Sequence, residues 1–289
     1  TNYRPLAHLF NFHSLSPAID EDDYPGLQLK SNDLLNTFDF STGLNYDTDL
    51  RRMSYTTGFA YKALYPVFSA TYKNRPRTGF YRLNGAVEQA NWRENYFNLK
   101  ASLPLSVNAY NHNYAFLAEV GTSFTQRNFE AKEAQLFNQN IRFPMSYKVG
   151  FTHSVRAAER DVAPQFAQTL LFSYFNQPFD TRLNGDLLAF ESSFYFPGLA
   201  KNHSFIASFN YQQSSGVLSQ NNEIATVYGY GQIRAKSELR NTLLFSYRFP
   251  FAFPDAQIGA LAYVKNLRGG FFSHYENIGS ETKDRKSVV

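Results

Sequence analysis

Side chains that alternate in character over stretches of nine or more residues limit what this chain can fold into. In 239–249, "LRNTLLFSYRF", Leu239, Asn241, Leu243, Phe245, Tyr247 and Phe249 form one set, and Arg240, Thr242, Leu244, Ser246 and Arg248 form the other. A strand places such sets on opposite faces. The pattern is cleanest where His203, Phe205, Ala207, Phe209 and Tyr211 oppose Asn202, Ser204, Ile206, Ser208, Asn210 and Gln212. Similar segments recur from Asn36 onward and predict about 12 strands of about 9 to 13 residues, the length that crosses a bilayer at a tilt. Strands of soluble proteins are nearer 5 or 6 residues.

Composition bears on what meets the apolar face. Phe (29) and Tyr (20) supply most of a 17% aromatic content within an ordinary 43% hydrophobic total. The mean hydropathy is −0.41. A soluble core leans instead on Leu, Ile and Val. Aromatic positions alternating with Ser, Thr, Asn, Gln and Gly describe a sheet that is amphipathic yet polar on average, as in transmembrane barrels. The expected fold is therefore all-β, an antiparallel transmembrane β-barrel of the bacterial outer membrane. In it Leu239, Leu243, Phe245 and Tyr247 face lipid, while Glu238, Arg240 and Arg248 point into the lumen. The alternative is a soluble double sheet or lipid-carrier barrel, since alternation alone does not distinguish lipid from a core.

No run approaches the length of a membrane helix, and "TNYRPLAHLF" is not a signal peptide, so an envelope protein would be a mature form or an internal piece. Residues 1–35 read as an N-terminal linker segment and 36–289 as the barrel. Compact connections ("NYDTDLRR", "FPGLAKNH", "FPFAFPDAQ") are set against longer hydrophilic ones ("KNRPRTGFYRLNGAVEQANWREN", "TQRNFEAKEAQLFNQNIRFP", "RAAERDVAPQ" and "QSSGVLSQNNEIATVYGYGQIRAKSE"), with a short loop helix expected in "NFEAKEAQLFNQ". "QIGALAYVKNL" reads as a single strand.

The net charge of +4 is spread among acids rather than gathered on one face, which argues against nucleic acid as a partner. The chain has no Cys, and its six His residues lack the spacing of a metal site. "GTSFT" at 121–125 fails the nucleophile-elbow pattern, and "YGYGQIR" lacks the third Gly of a dinucleotide loop. The expectation is a protein that is not an enzyme, with no catalytic, cofactor-binding or metal residues and no cofactor. Its expected partners are the lipid bilayer and lipopolysaccharide, with other envelope proteins or periplasmic subunits.

Within 226–279, "TVYGYGQIRAKSELRNTLLFSYRFPF" followed by "LRGGFFSHYENIG" resembles the end of the barrel in the BamA/TamA superfamily of outer-membrane assembly and translocation factors. There a loop ending in R-G-[FY] folds back into the lumen, and a strand of the form l-R-g-x-x-F-x-D-x-G-n faces it. The resemblance makes Tyr228, Gly229, Tyr230 and Gly231 a lumen-loop motif, and Arg268, Gly269, Phe272 and His274 the strand motif facing it. Tyr228 stands where the family has Arg and His274 where it has Asp, so the family's ion pair is replaced by a Tyr–His combination. "RPLAHLFNFHSLSP" and the residues after it are similar to the junction between a TolB-like β-propeller and a barrel in Bacteroidota envelope proteins. "ETKDRKSVV" does not read as a closing strand, so of the family's about 16 strands several are expected to lie outside this sequence or to come from a partner. The resemblance implies help in assembling or translocating outer-membrane proteins. A solute channel, or a barrel that anchors a periplasmic propeller, is the alternative.

Overall fold

A computed structural model describes residues 12–278 except 84, 130–134, 159, 180, 220, 228–238 and 260–261. It is all-β, and among the described residues no helix is long and apolar enough to cross a membrane. The strands are β1 (Phe12–Ile19), β2 (Pro25–Asn32), β3 (Phe38–Asp47), β4 (Arg52–Tyr61), β5 (Val67–Leu83), β6 (Ala86–Ala109), β7 (His112–Phe129), β8 (Asn140–Val155), β9 (Ala167–Asn176), β10 (Asp186–Pro197), β11 (Ser204–Ser214), β12 (Asn241–Ala252), β13 (Ala256–Ile258), β14 (Ala262–Val264) and β15 (Leu267–Glu276). Thirteen of them form one sheet in the order β1 to β12 and then β15, while β13 and β14 form a separate two-stranded sheet. The sheet is not closed among the described residues, because β1 and β15 are its end strands. The large antiparallel sheet therefore agrees with expectation; it holds 13 strands where about 12 were expected, and closure was expected to need strands from outside this sequence or from a partner.

Several strands differ from the sequence reading for identifiable reasons. Phe12–Asn32, placed in a linker, forms two strands, with Pro17 on the end strand β1 where a missing N–H donor is tolerated. "KNRPRTGFYRLNGAVEQANWREN" is not a loop: β5 and β6 stay paired in unbroken register from Val67↔Ser102 to Leu83↔Ala86. The overlooked signal was the Asn-Gly pair at 84–85, which favours a two-residue hairpin connection, and Gly85 takes φ +85°. "QIGALAYVKNL" is not one strand, since Gly259 turns at φ +56° between β13 and β14. The loop helix expected in "NFEAKEAQLFNQ" falls partly on 130–134, outside the described residues, and its first two residues, Asn128 and Phe129, end β7.

The chain divides into two compact units. Unit 1 comprises residues 1–103, 119–146 and 176–184, and unit 2 comprises 104–118, 147–175 and 185–289. Turns in unit 1 are fixed by Asp side chains: Asp33 Oδ1 accepts from the N–H groups of Thr37 (2.6 Å) and Phe38 (2.8 Å), and Asp47 Oδ1 accepts from those of Asp49 and Leu50. One face of its strands carries Asn45, Ser54, Thr71 and Asn98 around a cavity, and the other presents Leu44, Phe68, Phe97 and Leu99 to the outside.

Unit 2 repeats the division with β10, β11, β12 and β15. The register pairs Asn210 with Thr242 and Glu191, Phe209 with Leu243, and Ala207 with Phe245, so the two sets keep to their own faces across the strands. On the outer face rings meet in succession: Phe196 with Phe205, Phe205 with Phe245, His203 with Phe249, and Phe249 with Phe271 at 5.6 Å. They gather toward the strand ends beside the β10–β11 turn, where interfacial aromatics belong in a membrane barrel.

Gly270 lies opposite Arg248, and a Cβ built on it would stand 2.5 Å from the carbonyl oxygen of Tyr247. That oxygen belongs to the neighbouring backbone and cannot turn aside. Gly270→Ala is expected to cost about 1–3 kcal/mol through strain in the β12–β15 pairing. A thermal melt in detergent checks it, and an unchanged midpoint would contradict the β12–β15 register.

Candidate functional site

The inner face of unit 2 buries polar side chains beside the apolar Ile206 and Leu244. Asn210 and Gln212 are each 2% exposed and Thr242 is 0%, whereas their outward neighbours Phe209 and Tyr211 are 46% and 39% exposed. Burial of a polar group is tolerable only when it is hydrogen-bonded. Here Asn210 pairs with Thr242, and Gln212 and Thr242 find partners in residues 221–227 of the long connection between β11 and β12.

That arm is held at five points. Gln212 Nε2 donates to the Asn221 carbonyl (3.0 Å) and Gln212 Oε1 accepts from the Glu223 N–H (3.1 Å). The Ala225 N–H donates to Glu191 Oε2 (3.2 Å), and the Thr242 hydroxyl donates to the Ala225 carbonyl (2.9 Å) while accepting from Asn210 Nδ2 (2.9 Å). Ile224 packs on Leu187 and Ala189 in a small buried cluster, with Phe175, Leu218 and Leu239 against it. Ala225 and Thr226 then line a cavity of about 660 Å³ with Glu191, Arg248 and His274.

The predicted site residues divide accordingly. Arg248 and His274 share this cavity, and His274 is 3% exposed, opposite Leu244 and against the ring of Phe272 (5.0 Å). Arg268 lies toward the other end of β15, where its Nη1 donates to the Val162 carbonyl at 3.4 Å. Gly269 lies under the ring of Phe251. Arg240 precedes β12, is exposed, and donates its backbone N–H to Asn277 Oδ1 (2.7 Å). Leu239, expected to face lipid, packs instead against the Leu187 cluster, because β12 starts only at Asn241 and strand parity does not extend before it. Tyr228, Gly229, Tyr230, Gly231 and Glu238 lie outside the described residues.

Glu191, Gln212 and Ile224 were missed as site residues. The first two carried a signal, since both belong to the inward set of their strands. Ile224 carried none in a hydrophilic loop.

Unit 1 holds a charge cluster that the sequence reading missed. Arg75 donates from Nε (3.1 Å) and Nη2 (3.0 Å) to Glu94 Oε1, and Arg127 Nε lies 3.5 Å from Glu94 Oε2. Lys100 pairs with Glu119 at 3.2 Å. Reading the stretch up to Asn95 as a loop had removed Arg75 and Glu94 from any strand face.

The sequence matches no protein family, and no curated protein matches it. Among solved structures, CdiB from Escherichia coli resembles the chain with a TM-score of 0.50 and 14% identity, over 91% of this chain and 50% of CdiB. The likeness is one of fold, and the chain spans about half the length of CdiB.

Proposed function

We propose that the protein is a β-barrel of the bacterial outer membrane whose interior takes part in moving envelope proteins into or across that membrane. The observation that carries the reading is the inverted polarity of the strands: Asn210, Gln212 and Thr242 are buried while Phe209, Tyr211 and Phe68 are exposed. A soluble antiparallel sheet buries its apolar face, whereas a membrane barrel turns it to lipid. Strands such as β5 (17 residues) and β7 (18 residues) exceed the about 9–11 residues needed to span a bilayer. The fold likeness to CdiB supports the architecture on which this reading rests. The outer face then meets lipid and lipopolysaccharide.

In the finer reading the protein is an assembly factor of the BamA/TamA kind. The arm 221–227, held against the inner wall just before Tyr228, supports it, as does the position of His274 in the same cavity. A TolB-like propeller ahead of Thr1 is part of this proposal. A solute channel or a membrane anchor is the second reading, favoured by the charged cavity of unit 1.

The test uses the full-length protein in liposomes and follows the folding of an unrelated outer-membrane barrel. Acceleration that is lost in a Gly229→Ala, Tyr230→Ala variant supports assembly. Solute leakage without acceleration supports the channel.

A further inference from the structure

Lys73, Arg75 and Arg77 occupy alternate positions on β5, so three cations project from one face at intervals of about 7 Å. The connection between β1 and β2, which carries Asp20, Glu21, Asp22 and Asp23 in succession, lies over them. Lys73 Nζ is 2.6 Å from Glu21, Arg75 Nη1 is 3.5 Å from Asp22, and Arg77 Nη1 is 2.9 Å from Asp22. A short acidic peptide is thus already seated on the row.

The two sides of this contact are anchored differently. Arg75 is also tied to Glu94, whose side chain is 8% exposed, so the row is fixed from below. Glu21 has a side chain 71% exposed and belongs to a hairpin whose outer strand, β1, is an end strand. Ion pairs of such exposure are weak and screened by salt. The cavity beside the turn, about 640 Å³, is lined further by Lys100 and by Thr71 and Asn98, which offer hydrogen bonds of the kind peptide groups use, while Asn45 Nδ2 already donates to the Tyr24 carbonyl at the end of the turn (3.0 Å).

We propose that Lys73, Arg75 and Arg77 form a docking row for an extended acidic segment of another protein, and that the Asp20–Asp23 turn is its built-in competitor. The spacing favours a peptide over a small anion. Alternate side chains of an extended chain repeat at the same interval of about 7 Å, so carboxylates two residues apart meet successive cations. A free phosphate would engage only part of the row. The inference rests on unit 1 alone and stands or falls separately from the translocation reading.

The test measures binding of a fluorescein-labelled eight-residue oligo-glutamate to the full chain in detergent at low salt. A Glu21→Gln, Asp22→Asn variant removes the competitor and is expected to bind about tenfold more tightly than the unaltered protein. Lys73→Gln with Arg77→Gln, which leaves the Arg75–Glu94 pair intact, is expected to bind at least about tenfold more weakly. Matching thermal melts establish that each variant is folded. Equal binding by folded Glu21→Gln, Asp22→Asn and unaltered protein would overturn the proposal, as would binding that ignores the loss of Lys73 and Arg77. Displacement of the peptide by inorganic phosphate at matched charge would also overturn it, in favour of a small-anion site.

Discussion

Phe209→Arg is expected to cost about 2–4 kcal/mol of folding stability in a bilayer, enough to cut the yield of folded protein severely. Phe209 lies in the middle of β11, points outward and is 46% exposed. At a position so exposed in water, the same substitution would change stability by about 0.5 kcal/mol or less. The size of the effect therefore reports which solvent meets the aromatic face. Equilibrium unfolding in lipid vesicles measures it, and a loss below about 0.5 kcal/mol would place that face in water.

The second large effect concerns the loop arm. Thr242→Val keeps the shape of a residue that is 0% exposed but deletes the hydroxyl that donates to the Ala225 carbonyl and accepts from Asn210. The buried Asn210 amide and the part-buried Ala225 carbonyl then lose their partner, which costs about 1–3 kcal/mol. Because the arm depends on that bond, the loss should fall on local opening of 221–227. Proteolytic cleavage within 213–240 is expected to speed up by about 30-fold, the equivalent of about 2 kcal/mol. Cleavage at the unaltered rate would mean that Gln212 and Ile224 hold the arm without Thr242.

These two residues also show what the sequence could and could not convey. Phe209 and Asn210 fall on opposite faces by strand parity alone, and their exposures follow that division. Parity failed at strand ends, which is why Leu239 was assigned to lipid although it packs inside. Polarity misled at β5 and β6: a hairpin that carries Lys73, Arg75 and Glu94 looks like a solvated loop until the Asn-Gly pair at 84–85 is given weight. Pairings distant in sequence were not legible at all. Nothing around Glu21 announces that it meets Lys73, because that contact depends on β1 and β2 reaching the same sheet as β5. The burial of Ile224 is of the same kind, set by Leu187 and Ala189 on β10 rather than by its own neighbours.

The claim that the outer face meets lipid is tested most directly by fluorescence. The chain has a single Trp, so Trp92→Phe supplies a silent background into which either Phe209→Trp or Ser208→Trp is introduced. After reconstitution, lipids brominated along their acyl chains should quench Phe209→Trp strongly and Ser208→Trp weakly, since the two side chains lie on opposite faces of β11. Quenching of Phe209→Trp by aqueous iodide, with no effect of brominated lipid, would contradict a membrane barrel and return the chain to the soluble proteins.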